Sequence, residues 1–191
     1  MTFLQRRGGP PGGLRSELGF SLIELVITLA VLSIGLAVAL PMFRSVIRNT
    51  AVSGQTNDLV TALAMARSEA VRRGLQVAVV AASGGSDWSS GWRVVADDNR
   101  DGSFAGADEV IQQGPALDPQ YHIFARNIAG GSDANIVFNI NGAAASAFDI
   151  NVCYPTGEAI KSRRIQVRAS GNVSSFKGTS GSAATTCPAG T

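Results

Sequence analysis

Asp97, Asn99 and Asp101 alternate along Asp97-Asp98-Asn99-Arg100-Asp101-Gly102, and Asp108 stands at the twelfth place of the same run. Oxygen ligands at alternate positions with glycine at the sixth are the spacing of a calcium loop. The flanks read as strands rather than helices, however, and an aspartate in the last place lacks the reach of the glutamate that binds calcium bidentately. Asn, Asp and Gly also build ordinary hairpin turns through their own backbone hydrogen bonds. The spacing therefore admits a calcium loop or a solvated turn, and the turn makes fewer demands. A second cluster is cationic. Beyond residue 150, Lys161, Arg163, Arg164, Arg168 and Lys177 face a single anion, Glu158. On a strand, Arg164, Gln166 and Arg168 share one face while Ile165, Val167 and Ala169 share the other, so the cations form a possible phosphate-tracking ridge or a solvated strand face. If all five met phosphates, the logarithm of affinity would fall against log salt with a slope of about −4.5.

Catalytic chemistry is poorly supplied. His122 is the one histidine and lies in a strand-like run. No nucleophile elbow, phosphate loop or Cys/His metal spacing is present, and Gly178-Thr179-Ser180-Gly181-Ser182 is only superficially like a serine motif. Neither an enzyme nor a cofactor is expected. Cys153 and Cys187 are the two cysteines, and pairing them is the economical reading for a body outside the cytoplasm. Such a bond would pin a Gly/Ser/Thr/Ala-rich tail, residues 177–188, that would not pack alone.

These groups need a scaffold, and 191 residues supply one domain plus an N-terminal appendage. The 16 basic and 14 acidic residues nearly cancel, which excludes a polycation that coats nucleic acid indiscriminately. Apolar residues make up 45% and glycines number 22, the composition of one long hydrophobic segment with a strand-and-turn body.

The hydrophobic segment is residues 20–40, interrupted by one charge, Glu24, and preceded by Arg6, Arg7 and Arg15. As a helix it is long enough to span a bilayer. A plain signal anchor would look like this, and Ala37-Val38-Ala39 offers a signal-peptidase pattern. Neither explains Gly19-Phe20-Ser21-Leu22-Ile23-Glu24-Leu25, in which a small residue marks the polar-to-apolar boundary and a carboxylate lies just inside the apolar run. A carboxylate in hydrocarbon costs up to roughly 2.5 to 3.5 kcal/mol at mid-bilayer, so its presence points to a task.

Here the sequence resembles the type IV prepilins. The resemblance implies cleavage by prepilin peptidase after Gly19, methylation of the new N-terminus at Phe20, and a meeting of Glu24 with a neighbouring subunit's N-terminal amine. An ion pair in a filament core satisfies two charges that would each be costly alone. Pro41, which closes the apolar run, stands where prepilins commonly carry a proline, and it can kink or loosen the helix. Beyond it Val46, Ile47, Val52, Leu59, Leu63, Ala66 and Ala70 recur at mostly helical spacing among Arg44, Arg48, Asn57, Asp58, Arg67 and Arg72. The helix is expected to end at Arg72-Arg73-Gly74, with basic residues at the negative end of the dipole and glycine as its cap.

After Gly74 the pattern turns strand-like over residues 75–82, 91–96, 110–113, 121–126, 136–140, 148–154 and 164–169. Short turn clusters between them argue for antiparallel sheet. The expected fold is α+β, a long N-terminal helix packed on a β-rich head. Its parts are a leader (1–19), a transmembrane or filament-core helix (20–41), an amphipathic helix (42–74) and a periplasmic head (75–191). A narrower resemblance, to the FimT, FimU and GspH group of minor pilins and pseudopilins, rests on several blocks in family order. They are residues 63–74 at the helix end, Trp88 with residues 91–97, the acidic turn ending Asp108-Glu109-Val110, residues 136–142, and Arg163-Arg164-Ile165-Gln166-Val167. It implies a subunit in the bacterial inner membrane that passes into a pilus or pseudopilus, with prepilin peptidase, other minor pilins and the major pilin as partners. Some members of this group bind DNA through a C-terminal Gly-Arg-x-Arg signature. The corresponding stretch here, Gly171-Asn172-Val173-Ser174, lacks both arginines.

Overall fold

Ser21 begins the first element. Its hydroxyl accepts the backbone N–H of Glu24 at 3.2 Å, and its carbonyl accepts that of Leu25 at 3.1 Å. Ser-x-x-Glu is the capping-box spacing, and Glu24 in the first turn also suits the positive end of the helix dipole. From this cap the helix α1 runs over Leu22–Arg73 with Pro41 inside it, and Gly74 closes it with φ 64°. The computed structural model describes residues 19–104, 106, 108–130, 134–154, 161–178 and 187. The leader expected over 1–19 thus lies outside the described residues except for Gly19.

The chain divides into two units after Phe43. In the first, the apolar helix from Leu22 to Leu40 buries none of its large side chains. Its most apolar stretch reaches a mean hydropathy of 2.5. Hydroxyls within it return to the helix, Thr28 donating to the Leu25 carbonyl at 2.8 Å and Ser33 to that of Leu29 at 2.7 Å. They add no unmet polar group to the segment.

In the second unit the helix carries a buried stripe, Val52, Thr56, Leu59, Leu63, Ala66 and Ala70, with Ala62 beside it. The alternating steps of four and three keep these residues on one face. Eight strands follow: β1 Val77–Ala81, β2 Trp92–Ala96, β3 Glu109–Gly114, β4 His122–Asn127, β5 Asn135–Phe138, β6 Phe148–Cys153, β7 Arg163–Val167 and β8 Val173–Lys177. They form two antiparallel sheets, in the orders β3-β2-β1-β5 and β4-β6-β7-β8. The fold is the expected α+β. β8, an edge strand of Val-Ser-Ser-Phe-Lys, is a strand beyond those expected; it begins within the signature stretch at Val173 and ends at Lys177, where the tail starts.

Both sheets meet the helix stripe in one core that includes Leu59, Leu63, Val79, Trp88, Phe138, Ile150 and Ile165. The segment around Trp88 joins the sheets: Trp88 N–H donates to the Ile123 carbonyl at 2.8 Å and Ala125 N–H to that of Ser86 at 2.9 Å. Trp88 is fully buried behind this seam, and Gly91 turns the chain into β2 with φ 105°. A smaller cluster of Ala78, Val80, Val95 and Phe104 covers the other face of the first sheet.

Candidate assembly site and head surfaces

The N-terminal site is made by helix geometry. Phe20 precedes the cap, Ser21 fixes the first turn, and Glu24 lies in that turn at the head of an apolar surface the chain does not cover. From Leu22 to Leu40 the helix rises about 28 Å at ~1.5 Å per residue, close to the ~30 Å of a hydrocarbon core. The Ser-x-x-Glu spacing is a helix-start signal, and the contact made there is to the Glu24 backbone N–H, not to its carboxylate.

At the other end of α1, polar side chains tie the helix to the head. Glu69 accepts from Arg73 Nε at 2.7 Å and from both Nε and Nη2 of Arg72, while Arg73 also pairs with Glu109 on β3. These contacts, that of Arg72 first and then that of Arg73, lower the Glu69 carboxyl to a pKa of about 2 from 4.5. Arg73 likewise holds Glu109 below its ordinary value. Because the folded-state value is depressed, the stabilisation is complete above about 4.5 and is lost as pH falls toward 2. The thermal midpoint followed across that interval is therefore expected to fall more steeply for the parent chain than for Glu69→Gln. Equal slopes would remove this network from the acid response.

Arg67 reaches further, donating from Nε to the Gly142 carbonyl at 2.9 Å and from Nη2 to the Ser170 carbonyl at 3.4 Å. Gly171 follows with φ 78°, and a side chain there would overlap the Gly142 carbonyl. The stretch aligned with the arginine signature is thus the β7–β8 turn and the start of β8, with Gly171 needed for the turn itself.

The acidic run folds as a turn. The Asp97 carboxylate, on a buried side chain, accepts the N–H groups of Asp101 and Gly102, each at 3.1 Å. Asn99 accepts Asp101 N–H at 2.9 Å, and Asp101 accepts Ser103 N–H at 2.7 Å. The loop delivers Phe104 onto the outer face of the first sheet. Among the described residues no three His, Cys, Asp or Glu side chains gather as a metal site, and the calcium candidate Asp97, Asn99, Asp101 and Asp108 rests on spacing alone. The buried Asp108 carboxylate has no hydrogen-bond partner, and nothing in the structure accounts for it.

The five C-terminal cations separate rather than forming one ridge. Ile165 and Val167 are buried and Arg164 and Gln166 half-buried, as strand alternation requires. Arg164 lies over Phe176 at 5.4 Å from the ring centre, whereas Arg163 turns toward α1 and donates to Ser53 Oγ at 3.2 Å. Lys161 sits over Tyr154 at 5.0 Å, Arg168 opens the β7–β8 turn, and Lys177 ends β8 opposite Arg163. His122 is half-buried and stacks on Phe124 at 6.0 Å. Cys153 and Cys187 are joined by a disulfide that spans 34 positions. Of the tail it holds, residues 179–186 and 188 lie outside the described residues.

Comparison with known proteins completes this picture. A family model described as Type II transport protein GspH matches residues 55–171, more than half of the chain. The chain belongs to the GspH family. A second model, the prokaryotic N-terminal methylation motif, matches residues 14–40 and so includes Gly19, Phe20 and Glu24. Among solved structures, the GspH-family chain is similar to the type IV minor pilin FimU of Pseudomonas aeruginosa, at 16% identity and a TM-score of 0.52 over 65% of this chain and 87% of that one. It is also similar to the minor pseudopilin EpsH from the type 2 secretion system of Vibrio cholerae, at 12% identity and a TM-score of 0.50 over 66% and 96% of the two chains. These similarities show a shared fold. No curated protein matches the chain in sequence. Membership makes the protein a minor pilin or pseudopilin by family, and its apolar N-terminal helix and methylation motif fit membrane anchoring.

Proposed function

We propose that this protein is a minor type IV pilin, a structural subunit of the complex that primes or tips a pilus. Prepilin peptidase cuts after Gly19 and the new N-terminus at Phe20 is methylated. The subunit then waits in the bacterial inner membrane as a single-pass protein with its head in the periplasm, where it meets other minor pilins and the major pilin. The observation that carries this reading is Glu24, held in a capped first turn at the head of an apolar helix whose large side chains the chain leaves uncovered. Such a surface calls for lipid and then for neighbouring helices, and the carboxylate gives a neighbour's amine a partner as water is excluded. Pro41 lies where the apolar run gives way to the amphipathic one, and its missing N–H lets the helix loosen there on assembly.

The pseudopilin reading is the specific alternative, supported by the GspH match and the likeness to EpsH. DNA capture by the head has less support, since Arg164 over Phe176 and Arg168 at the β7–β8 turn stand apart from Lys161, Arg163 and Lys177, and Gly171 to Ser174 lack arginine. A deletion strain separates the three. Loss of surface pili supports priming, loss of exoprotein release supports secretion, and loss of transformation with pili intact supports DNA capture.

A further inference from the structure

The chain enters the head at Arg44, immediately after the apolar segment, and that end of the head is cationic. Arg44 and Arg48 are one turn apart on the same helix face. Arg48 acts electrostatically on Tyr121, which precedes β4, and so does Tyr154, which follows β6. The Lys161 ammonium lies 5.0 Å over the Tyr154 ring. Arg163 donates to the Lys161 carbonyl at 3.1 Å and to Ser53 Oγ at 3.2 Å, with Lys177 opposite it across the β7–β8 pair.

The polarity of this end is fixed by two contacts on one helix. Arg163 begins β7 beside Ser53, and the far turn at Ser170 is held by Arg67, fourteen residues later along α1 or about 21 Å at ~1.5 Å per residue. β7 therefore starts at the end where the chain leaves for the apolar segment. Arg44 and Arg48 on α1, Lys161 just before β7, Arg163 at its start and Lys177 at the end of β8 are the cations of this end, and Asp118 is an anion acting on Tyr121 beside them. Arg44 and Arg48 follow Phe43 by one and five residues, within about 8 Å along the helix axis and so inside one Debye length of ~10 Å at 0.1 M salt.

We infer that this collar seats on anionic phospholipid headgroups while the subunit resides in a bilayer. Arg44 and Arg48 where the chain leaves the apolar segment, with Lys161 over Tyr154 and the Arg163–Lys177 cross-strand pair beyond, match the phosphates of a lipid surface in charge and position. The contact would hold the waiting head against the membrane and would be given up when the subunit is drawn into a filament. The inference rests on the reading that residues 22–40 lie in the membrane.

The test uses the full chain reconstituted into vesicles of phosphatidylcholine, with and without phosphatidylglycerol as a minor component, each doped with a headgroup-photoactivatable analogue of the corresponding lipid. Crosslinks to the head should be at least about fivefold more abundant with phosphatidylglycerol, the effect of even one cation at an anionic surface. They should map to the segments around Arg44 and Lys161 and fade in molar salt. Arg44→Gln/Arg48→Gln/Lys161→Gln should bring the two lipids level, and Arg44→Lys/Arg48→Lys/Lys161→Arg should keep the preference. Resistance to alkaline extraction from neutral vesicles checks insertion separately, and its failure would sink the membrane reading itself. Insertion with equal crosslinking to both lipids would overturn this inference. So would loss of the preference in the charge-conserving variant, or salt-sensitive binding of duplex DNA without any lipid preference.

Discussion

Replacing Glu24 by alanine should leave the chain in the membrane and exclude it from filaments. Insertion depends on the apolar surface from Leu22 to Leu40, which the substitution extends; removing a carboxylate from hydrocarbon relieves a cost of up to about 2.5 to 3.5 kcal/mol at mid-bilayer, less near the edge. The helix start survives as well, because Ser21 Oγ accepts the Glu24 backbone N–H, which alanine retains. On the proposed mechanism, what is lost is the partner for a neighbour's Phe20 amine. Stranding one member of a buried pair costs about 3 to 5 kcal/mol, enough to cut incorporation by two orders of magnitude or more. Immunoblots of sheared filaments against the membrane fraction measure both terms. Glu24→Gln, which keeps shape and removes charge, should fail in the same way. Normal incorporation of either variant would rule out the ion-pair mechanism.

The second large effect concerns the disulfide. Cys153 is buried at the end of β6, and Cys187 is bonded to it from a position 34 residues later. In the loop-entropy model, closing a loop of this length stabilises the fold by about 3 to 4 kcal/mol, chiefly by restricting the unfolded chain. Cys187 Sγ also lies 3.6 Å from Ser162 Oγ, and that hydroxyl accepts the Tyr154 N–H at 2.9 Å. The bridge thus braces the end of the head at which Tyr154 and Lys161 meet. Cys153→Ser/Cys187→Ser should lower the thermal midpoint by roughly 6 to 16 °C, given the ~2 to 4 °C per kcal/mol expected of a domain of about 150 residues. Reductant should shift the parent chain and leave the double variant unmoved. A parent chain indifferent to reductant would show that the tail is not held this way.

How far these features could be read in advance depended on whether they were local. The helix was legible because Val52, Leu59, Leu63, Ala66 and Ala70 repeat along one face, and its end because Arg72, Arg73 and Gly74 suit a C-terminus. Strands β1, β2, β6 and β7 announced themselves through apolar runs or alternation. β8 did not: an edge strand needs one ladder of hydrogen bonds and little burial, so Val173-Ser174-Ser175-Phe176-Lys177 has almost no periodic signal. The acidic run illustrates a different limit. Asp97, Asn99 and Asp101 have the same spacing in a calcium loop and in a capped turn, and neither the hydrogen bonds of the run nor the packing of Phe104 against Ala78, Val80 and Val95 is written in that spacing. The cations read as one ridge because they are neighbours in sequence. Strand alternation sends Arg163 toward Ser53 and Arg164 toward Phe176, and only the packing of β7 on α1 tells which side is which.

The claim that this GspH-family chain serves a pilus is tested most directly by counting surface pili on a deletion strain, by electron microscopy and by the yield of sheared filaments. The account predicts that pili are lost or sharply reduced, restored by the parent gene and not restored by Glu24→Ala. A strain with parental numbers of pili that fails to release exoproteins would contradict it and assign the protein to secretion instead.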